Sequence, residues 1–202
     1  EFWESIVEYF NIDLERKRFF KAYKKKSFWN SIFFDNSNLN YYDLISKNNS
    51  SDLAIEFIGE NKFSEKIIYS DLNKRINALS NFFRDKGIKK GDVIVGYLPN
   101  IPDTVISFLS AAKIGAVWSS CSADFGTQAV IDRFSQLKPK LLIVADYYFY
   151  NGKKFQYSKN LRTLKANLNN PLILKTSYPS KNNTSDLKKI YNHKKYSKLN
   201  KN

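Results

Sequence analysis

The chain has no methionine, one cysteine and one histidine among its 202 residues. A single cysteine, Cys121, excludes an internal disulfide, and Cys121 with His193 alone cannot build a Cys/His zinc site. We expect Cys121 to be a small buried residue rather than a reactive thiol. The sequence opens on Glu1 rather than methionine. N-terminal processing or an internal fragment explains that start, and we favour the fragment.

Long apolar runs and nucleotide-binding signatures are also missing. No run approaches the roughly 20 residues that a membrane-spanning helix needs, and Glu4 and Glu8 interrupt the apolar start of the chain. We therefore expect a cytoplasmic protein without a membrane partner. The sequence contains no Gly-x-x-x-x-Gly-Lys-Ser/Thr, no Gly-x-Gly-x-x-Gly and no Gly-x-Ser-x-Gly. The residues alone thus predict no complete active site.

Charge of one sign is concentrated in the last third of the chain. The formal net charge is +14, and residues 153–202 contain 12 lysines, one arginine and a single acid, which leaves +2 for residues 1–152. A basic extension is typical of nucleic-acid or membrane-surface contacts, and a solvated Lys/Asn-rich segment is the alternative. The extension has no arginine cluster or aromatic stacking motif, so we consider a nucleic-acid partner the less favoured reading.

What is present is a pattern of buried strands alternating with amphipathic helices. Val93–Leu98, Ala116–Ser120 and Leu141–Ala145 are apolar without polar alternation, which is typical of strands covered on both faces. Five of the seven glycines lie between Gly87 and Gly126, at the expected ends of these elements. The pattern predicts an α/β fold with a parallel-rich sheet and helices on both faces.

Less regular segments flank this pattern. Residues 1–52 are expected to form a helical and loop extension, with a helix from Phe2 to Lys26. Residues 53–176 form the partial α/β domain, which starts with a hairpin of Leu53–Ile58 and Lys66–Tyr69. Ser70 can cap the helix that follows the hairpin. Residues 177–202 are expected to be a poorly ordered Lys/Asn-rich tail.

Several short segments resemble one enzyme family. They are similar to the N-terminal domain of the adenylate-forming acyl-CoA synthetases, and the later ones to the acetoacetyl-CoA synthetase branch in particular. The segments are Tyr69–Leu72, Lys86–Ile94, Pro99–Pro102, Gly115–Val117, Trp118–Gly126, Asp132–Phe134, Pro139–Lys140 and Tyr150–Lys153. The resemblance is specific between Gly91 and Lys153 and vague after it.

The resemblance implies a two-step ligase reaction. Acetoacetate and ATP, with Mg²⁺, give an acyl-adenylate and pyrophosphate, and the thiol of CoA then displaces AMP. A ligase for another short acid remains the alternative. The family's phosphate loop, ribose-binding carboxylate and catalytic lysine have no counterpart in this sequence. We therefore expect the chain to be inactive alone and to act with the remainder of the same polypeptide.

The resemblance also implies that part of a CoA site lies in this chain. It aligns Ala123 and Asp124 with one CoA-contacting turn of related enzymes, and Tyr150, Asn151, Gly152 and Lys153 with a second contact. The 3′-phosphate of CoA needs a cation, and Lys153 is one. Relatives use arginines where this chain has a tyrosine and a single lysine. An ordinary β-turn at residues 150–153 remains the alternative.

Overall fold

A computed structural model describes residues 2–12, 14, 34, 37–157 and 160–197, which divide into two compact units, residues 1–47 and 48–202. The described helices are α1 Phe2–Tyr9, α2 Tyr41–Ser46, α3 Tyr69–Asp85, α4 Pro102–Lys113, α5 Thr127–Ser135, α6 Leu161–Asn167, α7 Asp186–Tyr191 and α8 Lys194–Ser197. The described strands are β1 Leu53–Ile58, β2 Ser64–Ile68, β3 Val93–Leu98, β4 Val117–Ser122, β5 Leu141–Ala145, β6 Tyr147–Tyr150, β7 Lys153–Gln156 and β8 Leu172–Thr176.

A four-stranded parallel sheet forms the centre of the second unit. Its order is β4-β3-β5-β8, so β3 lies between β4 and β5, the two strands of this sheet that follow it in the chain. All five residues of β5 are buried, as expected for a strand covered on both faces. A Cβ atom at Gly96 of β3 would lie 2.7 Å from the indole ring of Trp118 on β4. Glycine at this position therefore lets the ring pack flat against the sheet.

Helices cover both faces of this sheet, as the sequence predicts. The chain passes from β3 to β4 in one direction and from β4 to β5 in the other, so right-handed crossovers put α4 and α5 on opposite faces. Helix α3 packs on α4, α7 and α8, and α6 packs on α5. Helix α3 buries an apolar stripe with helical spacing, which includes Leu72, Ile76, Leu79 and Phe83.

Two antiparallel hairpins lie outside the parallel sheet. Strands β1 and β2 form the predicted hairpin, but they pair only with each other. Strands β6 and β7 form a second two-stranded sheet, joined by the two-residue turn Asn151–Gly152. A cluster of Phe57, Ile101 and Tyr178, with partly buried rings from both hairpins, packs the two hairpins on this unit.

Some element boundaries differ from the predictions. Helix α1 ends at Tyr9, because Phe10 and Asn11 form a turn with Asn11 at a φ of 47°; residues 15–26 of the predicted helix lie outside the described residues. Helix α3 begins two residues earlier than a Ser70 cap implies, at Tyr69, so Ser70 lies inside the helix and Ile68 occupies the cap position without a side-chain bond.

The tail also differs from the expectation of poor order. Residues 186–197 contain α7 and α8, and the Ser185 hydroxyl caps α7 by accepting a hydrogen bond from the Lys188 N–H. Leu187 and Ile190 lie three residues apart and are buried. Two apolar residues at that spacing and a capping serine are enough to dock a short helix on a preformed unit.

Candidate functional site

The predicted site residues lie beyond the carboxyl ends of the parallel strands. Strand β3 is followed on one side by β4 and on the other by β5, so the strand order reverses between β3 and β5. Ligands of open α/β sheets bind in the crevice at such a reversal. The turn after β4 carries Ala123 and Asp124, and the β6–β7 hairpin follows β5 directly.

The turn after β4 is anchored by a tyrosine from β3. The Tyr97 hydroxyl donates a hydrogen bond of 2.5 Å to the carbonyl oxygen of Phe125. Ala123 is buried beneath the turn, whereas the Asp124 side chain is exposed. The predicted turn therefore offers one carboxylate to solvent and no cation of its own.

A tyrosine cluster, Tyr97, Tyr148 and Tyr157, connects this turn to the β6–β7 hairpin. The ring centroids of Tyr97 and Tyr157 are 4.6 Å apart, and those of Tyr148 and Tyr157 are 5.3 Å apart. Burial, with smaller contributions from Tyr148, Cys121 and the Asp124 carboxylate, raises the pKa of Tyr97 to about 12. Burial also raises the pKa of Tyr157, again with a contribution from Asp124. The three phenols thus stay protonated near neutral pH.

The tip of the β6–β7 hairpin holds the other predicted residues. Asn151 and Gly152 have φ values of 50° and 70°, the left-handed conformations that a tight two-residue hairpin turn requires. Tyr150 pairs with Lys153 across the ladder, so residues 150–153 form a two-residue hairpin turn. The side chains of Tyr150 and Lys153 are exposed at this turn, which is compatible with a binding role.

One face of the hairpin combines aromatic rings with a cation. Cross-strand partners share a face, so Tyr150 lies with Lys153, and Tyr148 lies with Phe155. The Tyr148 and Phe155 rings stack, with centroids 5.1 Å apart and planes 20° apart. The next lysine, Lys154, belongs to the opposite face, where its ammonium lies 3.7 Å from the centre of the Tyr147 ring.

Lys153 is an exposed cation at the tip of the hairpin. Among the described residues no carboxylate lies within salt-bridge distance of its ammonium. The structure therefore brings the six predicted residues to one side of the unit, two on a turn and four on a hairpin tip, with the tyrosine cluster between them.

A buried carboxylate near this region escaped the sequence analysis. Asp103, in the first turn of α4, is 9% exposed and accepts hydrogen bonds from the hydroxyls of Thr176 and Tyr191. Burial raises the pKa of Asp103. Arg75 lies nearby, bound to Glu65 at 2.6 Å, and a cleft of about 50 Å³ adjoins the network. Local sequence gives no signal for this network, because the partners of Asp103 come from distant segments.

Cys121 is buried, as expected, and the described part of the chain holds no cluster of metal-ligating side chains. Cys121 is buried and unoxidised, and burial raises the pKa of its thiol, which disfavours a reactive thiolate. Within the described ranges no group of three His, Cys, Asp or Glu side chains could hold a metal ion. These residues therefore do not fit a Mg²⁺ ion, and we assign none to them. No helix in the same ranges is long and apolar enough to cross a membrane.

Comparisons with known proteins identify what this region resembles. The family model described as "AMP-binding enzyme" matches residues 46–200. Acetoacetyl-coenzyme A synthetase of Rhizobium meliloti (strain 1021) is 38% identical over 142 residues, which cover 70% of this chain and 22% of that protein. Acetoacetyl-CoA synthetase of Gallus gallus is 33% identical over 196 residues, 95% of this chain and 29% of that protein.

A solved structure agrees with the sequence comparisons. Acetoacetyl-CoA synthetase from Streptomyces lividans matches 95% of this chain and 31% of its own chain, with a TM-score of 0.85 and 25% sequence identity. The chain thus spans less than a third of the length of these relatives. The likeness extends over nearly all of this chain, including the turn after β4 and the β6–β7 hairpin.

Proposed function

The chain belongs to the family of AMP-binding enzymes, and from this premise we propose that it contributes to an acetoacetate–CoA ligase. The proposed overall reaction consumes acetoacetate, ATP and CoA and yields acetoacetyl-CoA, AMP and pyrophosphate. The similarity to acetoacetyl-CoA synthetases from a bacterium and a vertebrate supports this substrate over another short acid. ATP and CoA are then co-substrates, with Mg²⁺ bound by residues other than those described.

We propose that this chain supplies part of the CoA site and none of the adenylation machinery. In the second step the CoA sulfur attacks the acyl carbon of the adenylate, so that a C–S bond forms, the bond to AMP breaks and the thiol proton is lost. The nucleotide end of CoA must be held while this happens. Remote binding of that kind fixes the orientation of the thiol without touching the reacting atoms.

The observation that carries the proposal is the exposed Lys153 on an aromatic hairpin face. Its ammonium is a point charge suited to the 3′-phosphate of CoA. Tyr150 on the same face is 67% exposed, and Phe155 is 40% exposed. Rings at that exposure offer flat surface to a planar base next to the cation. Ala123 and Asp124 lie on the other side of the tyrosine cluster and form another edge of the proposed site.

The proposal is tested by comparing CoA with 3′-dephospho-CoA in a binding assay. Binding rather than turnover is the readout, because we expect the chain alone to release no AMP. Lys153→Ala should weaken CoA binding by roughly fivefold, about 1 kcal/mol for one exposed charge pair, and should not change the binding of 3′-dephospho-CoA.

Lys154→Ala is the matched control, since it removes the same charge from the opposite hairpin face. It should leave the preference for the 3′-phosphate unchanged. Wild-type protein that binds CoA and 3′-dephospho-CoA equally well would contradict the assignment of Lys153 and return residues 150–153 to a purely structural turn.

A further inference from the structure

The turn between β1 and β2 holds Glu60 in a fixed position. The Gly59 N–H donates to the Phe63 carbonyl at 2.8 Å, and the Lys62 N–H donates to the Gly59 carbonyl at 3.0 Å. The Asn61 side-chain amide donates to the Pro179 carbonyl at 2.9 Å, which ties the turn to the segment after β8. These three hydrogen bonds hold the backbone of the five-residue turn from Gly59 to Phe63, and with it the backbone position of Glu60.

Glu60 reaches the tip of the other hairpin. Its Oε2 atom accepts a hydrogen bond of 2.8 Å from the N–H of Gly152. Gly152 occupies the second position of the two-residue turn, whose N–H group is not used by the ladder between β6 and β7. The acceptor of the Gly152 N–H is therefore a carboxylate, and Gly152 is the residue immediately before Lys153.

The contact between the two tips is supported by packing beneath it. Phe57 of β1 lies 5.7 Å from the Tyr178 ring, and Phe149 of β6 lies 5.2 Å from the same ring. Phe63, next to the β1–β2 turn, packs on this cluster as well. Since both hairpins share one aromatic cluster, the Glu60–Gly152 bond joins two elements that are already held side by side.

We propose that Glu60 is a specificity-determining residue that competes with a phosphate group for the β6–β7 tip. Its carboxylate occupies the N–H of Gly152, the residue next to Lys153 in the chain, so a phosphate that uses this N–H binds the tip by displacing the carboxylate. The proposal rests on the proposed CoA site and deepens it, because Glu60 then sets how strongly the 3′-phosphate is preferred. Removing the charge raises the affinity for a ligand that carries the 3′-phosphate.

The experiment titrates isotope-labelled protein with adenosine 3′,5′-bisphosphate while the Gly152 amide is followed by NMR. Glu60→Gln keeps an oxygen acceptor and removes the charge, and Glu60→Ala removes both. Loss of one exposed like charge should lower the dissociation constant about threefold in Glu60→Gln, and at least as much in Glu60→Ala. The dissociation constant of 3′-dephospho-CoA should be the same in all three proteins.

Glu56→Gln is the matched control. Glu56 lies on the same hairpin and pairs with Lys66 at 3.1 Å, so its substitution changes the net charge equally without touching the tip. Its affinity for adenosine 3′,5′-bisphosphate should equal that of the wild type. If Glu60→Ala loosens the hairpins, Glu60→Gln still carries the test, because its amide oxygen can accept the Gly152 hydrogen bond.

Four outcomes decide the matter. Equal affinity of the wild type and both Glu60 variants overturns the proposal, and so does an equal gain for 3′-dephospho-CoA. Absence of bisphosphate binding in every variant overturns it together with the proposed function. A fourth result would be that the Glu60 variants bind the bisphosphate more tightly than the wild type, while Lys153→Ala binds CoA as well as the wild type does. That result would support the competition at the tip and contradict the proposed CoA site.

Discussion

The parallel sheet and the β6–β7 hairpin are stabilised by opposite means. No residue of β5 is more than 1% exposed, whereas all four residues of β7 are exposed. The sheet is held by apolar burial, and the hairpin by its left-handed turn and by rings that stack at its surface. The main source of stability and the proposed ligand contacts therefore lie in different parts of the unit, so a substitution in one should leave the other nearly unaffected.

The largest expected effect is in the sheet. Ile143→Ala removes a fully buried side chain from β5 and should lower the free energy of unfolding by about 4 kcal/mol. Phe155→Ala in the hairpin should cost less than about 1 kcal/mol, because its ring is 40% exposed. Urea denaturation of both variants measures the difference. Similar losses would show that the two regions are not energetically distinct.

A smaller effect is expected at Asp103, which joins elements of the sheet and of the helical layer. Asp103→Ala should cost about 3 kcal/mol, because the buried hydroxyls of Thr176 and Tyr191 lose their acceptor. Asp103→Asn keeps an oxygen acceptor and should cost less. Urea denaturation at pH 7 measures the free energy of unfolding of both variants. An Asn variant as unstable as the Ala variant would contradict the hydrogen-bond explanation.

The raised pKa of Asp103 predicts how the free energy of unfolding changes with pH. Burial raises the pKa of Asp103 in the folded state above its ordinary unfolded value, so the folded protein binds this proton more tightly. Its contribution to stability is then largest below the unfolded pKa, near 4, and is lost as the pH rises through the raised folded pKa. The stability difference between wild type and Asp103→Asn should therefore shrink with rising pH. If the free energies of unfolding of the two proteins change in parallel with pH, the raised pKa of Asp103 is contradicted.

The smallest effect is local to the hairpin. Gly152 has a φ of 70° with open space around it, so Gly152→Ala should cost about 1 kcal/mol through backbone strain rather than through a clash. Hydrogen exchange should accelerate about fivefold in β6 and β7 and stay unchanged in β5. Gly152→Asn is the control and should accelerate exchange less, because asparagine tolerates this conformation.

Two strands of the sheet, β3 and β5, were the most predictable part of the fold, whereas the prediction for Ala116–Ser120 was wrong in its burial: β4 is an edge strand, and its Val117 is 47% exposed. Val93–Leu98 and Leu141–Ala145 match β3 and β5 residue for residue, because continuous apolar runs between turn residues have few other stable solutions. It was harder to predict that β1 and β2 pair only with each other and do not join the parallel sheet. Hairpin residues show the same alternation whether or not a sheet continues beyond them, so the sequence does not reveal where pairing stops.

Contacts between distant segments could not be predicted. Asp103 reads as an ordinary first-turn acid, and its burial depends on Thr176 and Tyr191, which are more than seventy residues away. Glu60 gave no signal either, since its partner is a backbone N–H in another hairpin. The turn at Asn151–Gly152 was recognisable because Asn-Gly is a strong local signal, whereas its role in binding depends on surroundings that local sequence does not encode.

The position of β3 in the middle of the sheet has a consequence for the order of folding. Strand β3 is the first of its sheet to be synthesised, yet one of its neighbours, β5, is complete only at Ala145. The hairpin of β1 and β2 closes within Leu53–Ile68 and can form in microseconds, while parallel pairings wait for long loops to close. On the ribosome, the hairpin that carries Glu60 is therefore in place before the sheet can close, and β3 keeps an open edge until its last partner emerges.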